Sequence, residues 1–346
     1  MAPTIFPWQS EVWQQLQAMR ERLPHAILFH GQSGIGKAVF AEAFAQSLLC
    51  EARLPSGHAC GACLSCGWFA QYGHPDYRRV RPEVLDDDAS AGESDNESRA
   101  GTSTSSKASK TPSKDIRIEQ VRALADFMNI STHRQGRRVV LLYPAEALNS
   151  ASANALLKTL EEPPPATVFL LVSNNIERLL PTMLSRCRQI ALPMPGTDEA
   201  LAWLSAQGIG SADAWLAEQG GAPLTALTMA QMGSRDSQDE LLAVLMRPTL
   251  EAALKTAERL QKSPLPELVL GLQRWLYDLC SFKSAGKVRY YPSRLKELSM
   301  LADRVTMMQL LVAVKQADEH RAVASHPLSA RLFIEDMLLD YSALFS

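Results

Sequence analysis

GQSGIGKAVF, residues 31–40, decides the fold. Gly31, Gly34, Gly36 and Lys37 fit the phosphate-cradling pattern G-x-x-x-x-G-K-[ST] up to its last position, where Ala38 replaces the hydroxyl. The flanks supply the context that pattern requires. HAILFH, residues 25–30, reads as a short buried strand, and KAVFAEAFAQSLLC, residues 37–50, as an Ala-rich helix. Strand, glycine loop and helix in that order predict a phosphate-loop α/β domain. A Gly-rich turn kept only for packing is the other reading of the same residues.

Outward from the loop, QSEVWQQLQAMRERL (residues 9–23) places Val12, Trp13, Leu16, Met19 and Leu23 close to helical spacing. Downstream, IRIEQVRALADFMNI is an amphipathic helix and RRVVLLY a strand. NSASANALLKTLEEPPP carries Leu156, Leu157 and Leu160 on one helical face, and three prolines stop the helix after Glu162. TVFLLVSNN is another buried strand, and LLPTMLSRC leads into RQIALP. Helices alternating with apolar strands predict a parallel sheet covered on both faces. After Pro195 the strand signals cease. We therefore expect an α/β domain over 1–195, a small helical domain over 196–236, and an all-helical domain over 237–346. Residues 86–114 contain no large apolar side chain and are rich in Ser, so they read as a disordered insertion.

The formal net charge of -2 excludes an overall basic field for nucleic acid. Two basic stretches, HRQGRR (133–138) and KSAGKVRYYPSRLK (283–296), suit phosphate or single-stranded nucleic acid on one reading, and a polar turn and a solvated inter-helix loop on the other. MAPTIFPWQS lacks a basic segment followed by an apolar one, and the longest apolar runs, such as residues 168–172, are too short to span a bilayer. The expectation is a cytoplasmic protein with no membrane partner.

Cys50, Cys60, Cys63 and Cys66 give C-x9-C-x2-C-x2-C. Two successive C-x2-C steps turn three sulfurs toward one point, and Cys50 at a helix end closes a tetrahedron suited to structural Zn2+. An iron–sulfur cluster is the rival, but its fourth cysteine would fall near Ala70. Independent free thiols are the remaining option.

In a working phosphate loop the terminal hydroxyl and an acidic residue on a second strand hold Mg2+. Here Ala38 offers no ligand, and the second strand, VVLLYPAEAL (139–148), ends in Tyr143 and Pro144. Glu146 follows a proline and reads as poorly placed to substitute. Hydrolysis by this chain alone is not expected, whereas passive phosphate binding at the helix N-terminus needs no side-chain ligand.

NALLKTLEEPP at 154–164, followed by SRC at 185–187, resembles the clamp-loader branch of the AAA+ ATPases. The four-cysteine insertion after the phosphate-loop helix is also found in that branch's bacterial members. The resemblance implies an AAA+ P-loop-type parallel sheet domain, a helical lid and a helical collar that mediates oligomerisation. It also implies a hetero-pentameric machine whose motor subunits hydrolyse ATP to place a ring-shaped sliding clamp on primed DNA. On the family pattern the motors' acidic pair falls on Tyr143 and Pro144, the strand-end sensor on Ser173 and Asn174, and the lid arginine on Leu224. Such losses mark an inert member, with Gly31, Gly34, Gly36 and Lys37 as a vestigial phosphate loop and ATP bound by its neighbours. Arg186 of the SRC motif would then reach a neighbouring subunit's ATP site, unless it forms only a structural ion pair. An independent ATPase with an unconventional magnesium site and a zinc-dependent nucleic-acid-binding module are the competing functions. Nothing in the chain looks like a polymerase active site.

Overall fold

Alternate residues of each central strand face two different cores, as expected of strands buried on both sides. Ile27, Phe29, Val139, Leu141, Val168 and Leu170 pack into one cluster. Their neighbours Leu28, Val140, Leu142, Phe169 and Leu171 pack into the other. The computed structural model describes residues 4–85, 112–129, 132–133, 136–232, 236–325 and 329–345. The expected disordered insertion at 86–114 lies, over 86–111, outside the described residues.

The chain divides into two compact units between Met194 and Pro195. In the first, the order is α1 (Ser10–Ala18), β1 (Ala26–His30), α2 (Lys37–Leu49), α3 (Leu64–Ala70), β2 (Tyr77–Val80), α4 (Ile118–Asn129) and β3 (Arg138–Leu142). Then come α5 (Ser150–Glu161), β4 (Thr167–Ser173), α6 (Pro181–Leu184) and β5 (Arg188–Ala191). The five strands form one parallel sheet in the order β2-β3-β4-β1-β5. The non-consecutive neighbours follow from the helical crossovers that parallel strands need. Placing β1 between β4 and β5 puts the glycine loop beside the strand end that carries Ser173. The two ends of the long insertion meet, because the Val84 N–H donates to the Ser113 carbonyl at 3.2 Å and the Ser113 N–H to Glu83 at 3.0 Å. Chain inserted between joined ends costs little closure entropy and leaves the sheet undisturbed.

The second unit is helical: α7 (Thr197–Ala206), α8 (Ala212–Glu218), α9 (Pro223–Met232), α10 (Asp236–Met246), α11 (Leu250–Leu260), α12 (Leu265–Ala285), α13 (Leu295–Arg304), α14 (Met307–Val323) and α15 (Ala330–Ala343). A small cluster around Leu204, Leu216 and Ala226 is distinct from a larger one built on Trp275, Leu279, Ile334 and Met337. The Trp275 indole donates to the Tyr341 hydroxyl at 2.7 Å, which donates to the Leu245 carbonyl at 2.8 Å. Asp278, fully buried, accepts the backbone N–H groups of Arg289, Tyr290 and Tyr291, fixing the turn after α12. Among the described residues no helix is long and apolar enough to cross a membrane.

Candidate functional site

The glycine loop leaves β1 and caps α2 with Gly36 in the left-handed region at φ 88°. A side chain there would also strike the Phe6 ring, 2.4 Å from where its Cβ would sit. That contact shows what covers the loop. Trp8 Nε1 and Gln9 Nε2 both donate to the Ile35 carbonyl at 2.9 Å, and Phe6 stacks on Trp8 with ring centroids 5.0 Å apart.

Lys37 is 3% exposed, and its ammonium donates to the Gln32 carbonyl at 2.5 Å. Burial lowers its pKa to about 8, against a smaller opposing pull from Glu146. Burial, and then the Lys37 charge, push His30 below its ordinary value. Glu146 thus comes near the loop, contrary to its sequence reading. A short 3-10 turn (Ala145–Ala147) bends the chain back, so that Glu146 Oε1 accepts the Asn174 N–H at 3.0 Å. Its Oε2 is buried with no hydrogen-bond partner. A residue beyond a proline gives no periodic signal of where its side chain will point, so the sequence could not find this carboxylate. Ser173, fully buried, spends its hydroxyl accepting the Asn175 N–H at 3.1 Å.

The structure brings the four cysteines together. Sγ separations are 3.6 Å for Cys50–Cys60, 3.9 Å for Cys50–Cys63 and 4.0 Å for Cys60–Cys66. Sulfurs about 2.3 Å from a tetrahedral ion stand about 3.8 Å apart, whereas a disulfide needs about 2.05 Å. All four are free thiols. Backbone N–H groups of Cys60, Ala62, Cys63 and Cys66 point at these sulfurs at 3.3 to 3.4 Å, the donor shell thiolate ligands need. Those of Ala62 and Cys63 draw the Cys60 thiol down to about 6, while burial pushes Cys50 and Cys66 up. A cation among the sulfurs resolves that conflict, so the residues present fit a tetrahedral metal. Cys63 also caps the N-terminus of α3 through its sulfur.

The cysteine loop docks on α1. His58 stacks on Trp13 at 4.3 Å, and the Trp13 indole donates to the Ser56 carbonyl at 3.1 Å. Of the aromatics beyond the cysteines, Phe69 is buried against Tyr77, whereas Tyr72 is half exposed under the Arg79 guanidinium.

Arg186 follows the four-residue α6. Its guanidinium pairs with Glu161 and donates to the Thr182 carbonyl at 2.7 Å and the Ser185 hydroxyl at 3.3 Å. The single chain thus shows the ion pair anticipated as the structural alternative, with 32% of the Arg186 side chain still exposed. Cys187 is half-buried and packs as an apolar group, its thiol pushed up to about 11 by desolvation.

Two side chains of each basic stretch are spent on internal contacts. Arg138 is buried and donates to the Met128 carbonyl, and Arg137 donates to the Arg20 carbonyl. Lys283 and Arg289 donate to the carbonyls of Ala302 and Gly220.

A family described as "DNA polymerase III, delta subunit" matches residues 8–195. The DNA polymerase III subunit delta' of Pseudomonas aeruginosa is 36% identical over 313 residues, covering 89% of this chain and 84% of that one. That of Yersinia pestis is 30% identical, covering 99% and 96%. Among solved structures, a DNA polymerase III gamma-subunit-related protein of Thermotoga maritima aligns over 96% of this chain with 16% identity and a TM-score of 0.43. With the parallel sheet, the glycine loop and relatives matching nearly end to end, the chain belongs to the DNA polymerase III subunit delta-prime family.

Proposed function

We propose that this clamp-loader subunit is the member that assists rather than burns ATP. It stands beside motor subunits and a delta-type subunit in a hetero-pentamer that places a sliding clamp on primed DNA. The neighbours bind and hydrolyse ATP, and Arg186 completes one neighbour's site in trans. The observation that carries this reading is the make-up of the chain's own loop. Lys37, which should reach the outer phosphates, is buried on the Gln32 carbonyl, and Ala38 and Tyr143 supply no magnesium ligand. The Cys50, Cys60, Cys63 and Cys66 cluster holds a structural Zn2+ that shapes the loop docked on Trp13.

The test is clamp- and primed-DNA-stimulated ATPase of the complex rebuilt with its motor subunits, native chain against Arg186→Ala. A clear fall with assembly intact on gel filtration supports the trans role, and unchanged turnover removes it. One observation favours the independent ATPase instead: Glu146 supplies a buried carboxylate oxygen near Lys37. ATP turnover by the isolated chain, lost in Lys37→Ala, would establish that reading.

A further inference from the structure

Glu161 and Glu162 lie at the C-terminal end of α5, where the helix macrodipole is negative. Two carboxylates there oppose their own helix, and prolines 163–165 allow no further turn to compensate. Glu161 does have a partner elsewhere, the Arg186 guanidinium 25 positions on. That guanidinium is held at three points: Glu161 from α5, the Thr182 carbonyl from α6 and the Ser185 hydroxyl beside it. Arginine has five N–H donors, and these contacts use three. Its Nε–H and a second Nη2–H have no hydrogen-bond acceptor among the described residues.

We infer that Glu161 is a positioning residue for Arg186: it fixes the guanidinium while leaving a two-donor fork open to the oxygens of a neighbour's nucleotide phosphate. The inference rests on the trans-acting reading of Arg186 and adds the residue that prepares it. A free arginine side chain samples many rotamers, and a planar fork held in advance loses less freedom when it binds phosphate. The Glu161 charge would also repel that phosphate. However, 48% of its side chain is in water, where charges over several ångströms are heavily screened. Orientation therefore outweighs repulsion, and the sign of the effect is set: removing Glu161 slows turnover.

The rebuilt clamp-loader complex is assayed with Glu161→Ala, Glu161→Asp, Arg186→Ala and the Arg186→Ala/Glu161→Ala double variant, with assembly followed by gel filtration. Glu161→Ala should lower turnover at the one site that Arg186 serves about tenfold. This is read as a fall in stimulated kcat smaller than that of Arg186→Ala with KM for ATP unchanged, and Glu161→Asp should restore part of it. The double variant should be no slower than Arg186→Ala alone, because Glu161 acts only through the arginine. If Arg186→Ala abolishes stimulated turnover but Glu161→Ala leaves kcat unchanged or raises it, the positioning role is overturned and the trans role stands. Should Arg186→Ala itself have no effect, the trans role fails and the positioning role with it.

Discussion

The Lys37 ammonium donates to the Gln32 carbonyl, five residues earlier in the same glycine loop. That contact closes the turn under the roof made by Phe6, Trp8 and Gln9. Gly31 completes the closure: a Cβ there would lie 2.8 Å from the Leu192 carbonyl oxygen.

A pH signature follows from that burial. The ordinary value for this lysine is 10.5 and the folded value about 8, so the unfolded chain binds the proton more tightly. The mismatch opposes folding fully below pH 8, and it fades as pH rises from 8 to 10.5. Lys37→Met should therefore be more stable than the native chain at pH 7 by about 1 kcal/mol, a Tm gain of roughly 2–4 °C. The gain should shrink between pH 8 and 9.5 in denaturant titrations; a constant difference across that range would exclude the buried ammonium as its cause.

Metal content gives a second expectation. The purified chain should carry one Zn2+ per molecule, and Cys60→Ser/Cys63→Ser should carry none. Losing the ion should destabilise the first unit by at least about 2 kcal/mol. Because His58 stacks on Trp13, chelation should also shift tryptophan emission, and restoring Zn2+ should reverse it. Native fluorescence in a zinc-free protein would show that the loop folds without its ion.

In the second unit, Asp278→Ala removes the acceptor of three backbone N–H groups and leaves them buried or half-buried. The expected cost is about 3 kcal/mol, read as a lower urea midpoint. New proteolytic cleavage should appear in the turn between α12 and α13. Asp278→Asn keeps an oxygen acceptor and should lose less. Equal losses would mean that the charge, not the geometry, holds the turn.

Charge alone should not satisfy the Arg186 site either. Arg186→Lys keeps the cation but loses the planar fork, so stimulated ATPase of the rebuilt complex should fall nearly as far as in Arg186→Ala. Substantial activity in the lysine variant would reduce Arg186 to a diffuse electrostatic contribution.

Much of this architecture was legible in the residues alone. Alternating apolar strands and periodic helices announced a two-sided parallel sheet, because buried strands show their environment in every residue. Four cysteines at short spacing announced a common centre. Ala38, Tyr143 and Pro144 showed, by the atoms they lack, where the phosphate-loop pattern departs from a magnesium-holding one. Local pattern could not place Glu146 beside the loop, stack His58 on Trp13, or close the long insertion between Val84 and Ser113.

The sequence by itself thus determined the kinds of element and their order, which depend on neighbours within a few residues. Tertiary structure alone decided that β1 lies between β4 and β5, that Glu146 reaches Asn174, and that Glu161 meets Arg186. Those pairings join side chains whose separation along the chain carries no periodic signal. They exist only once the sheet has its strand order and the helices their packing, which bring distant backbone segments within hydrogen-bond reach.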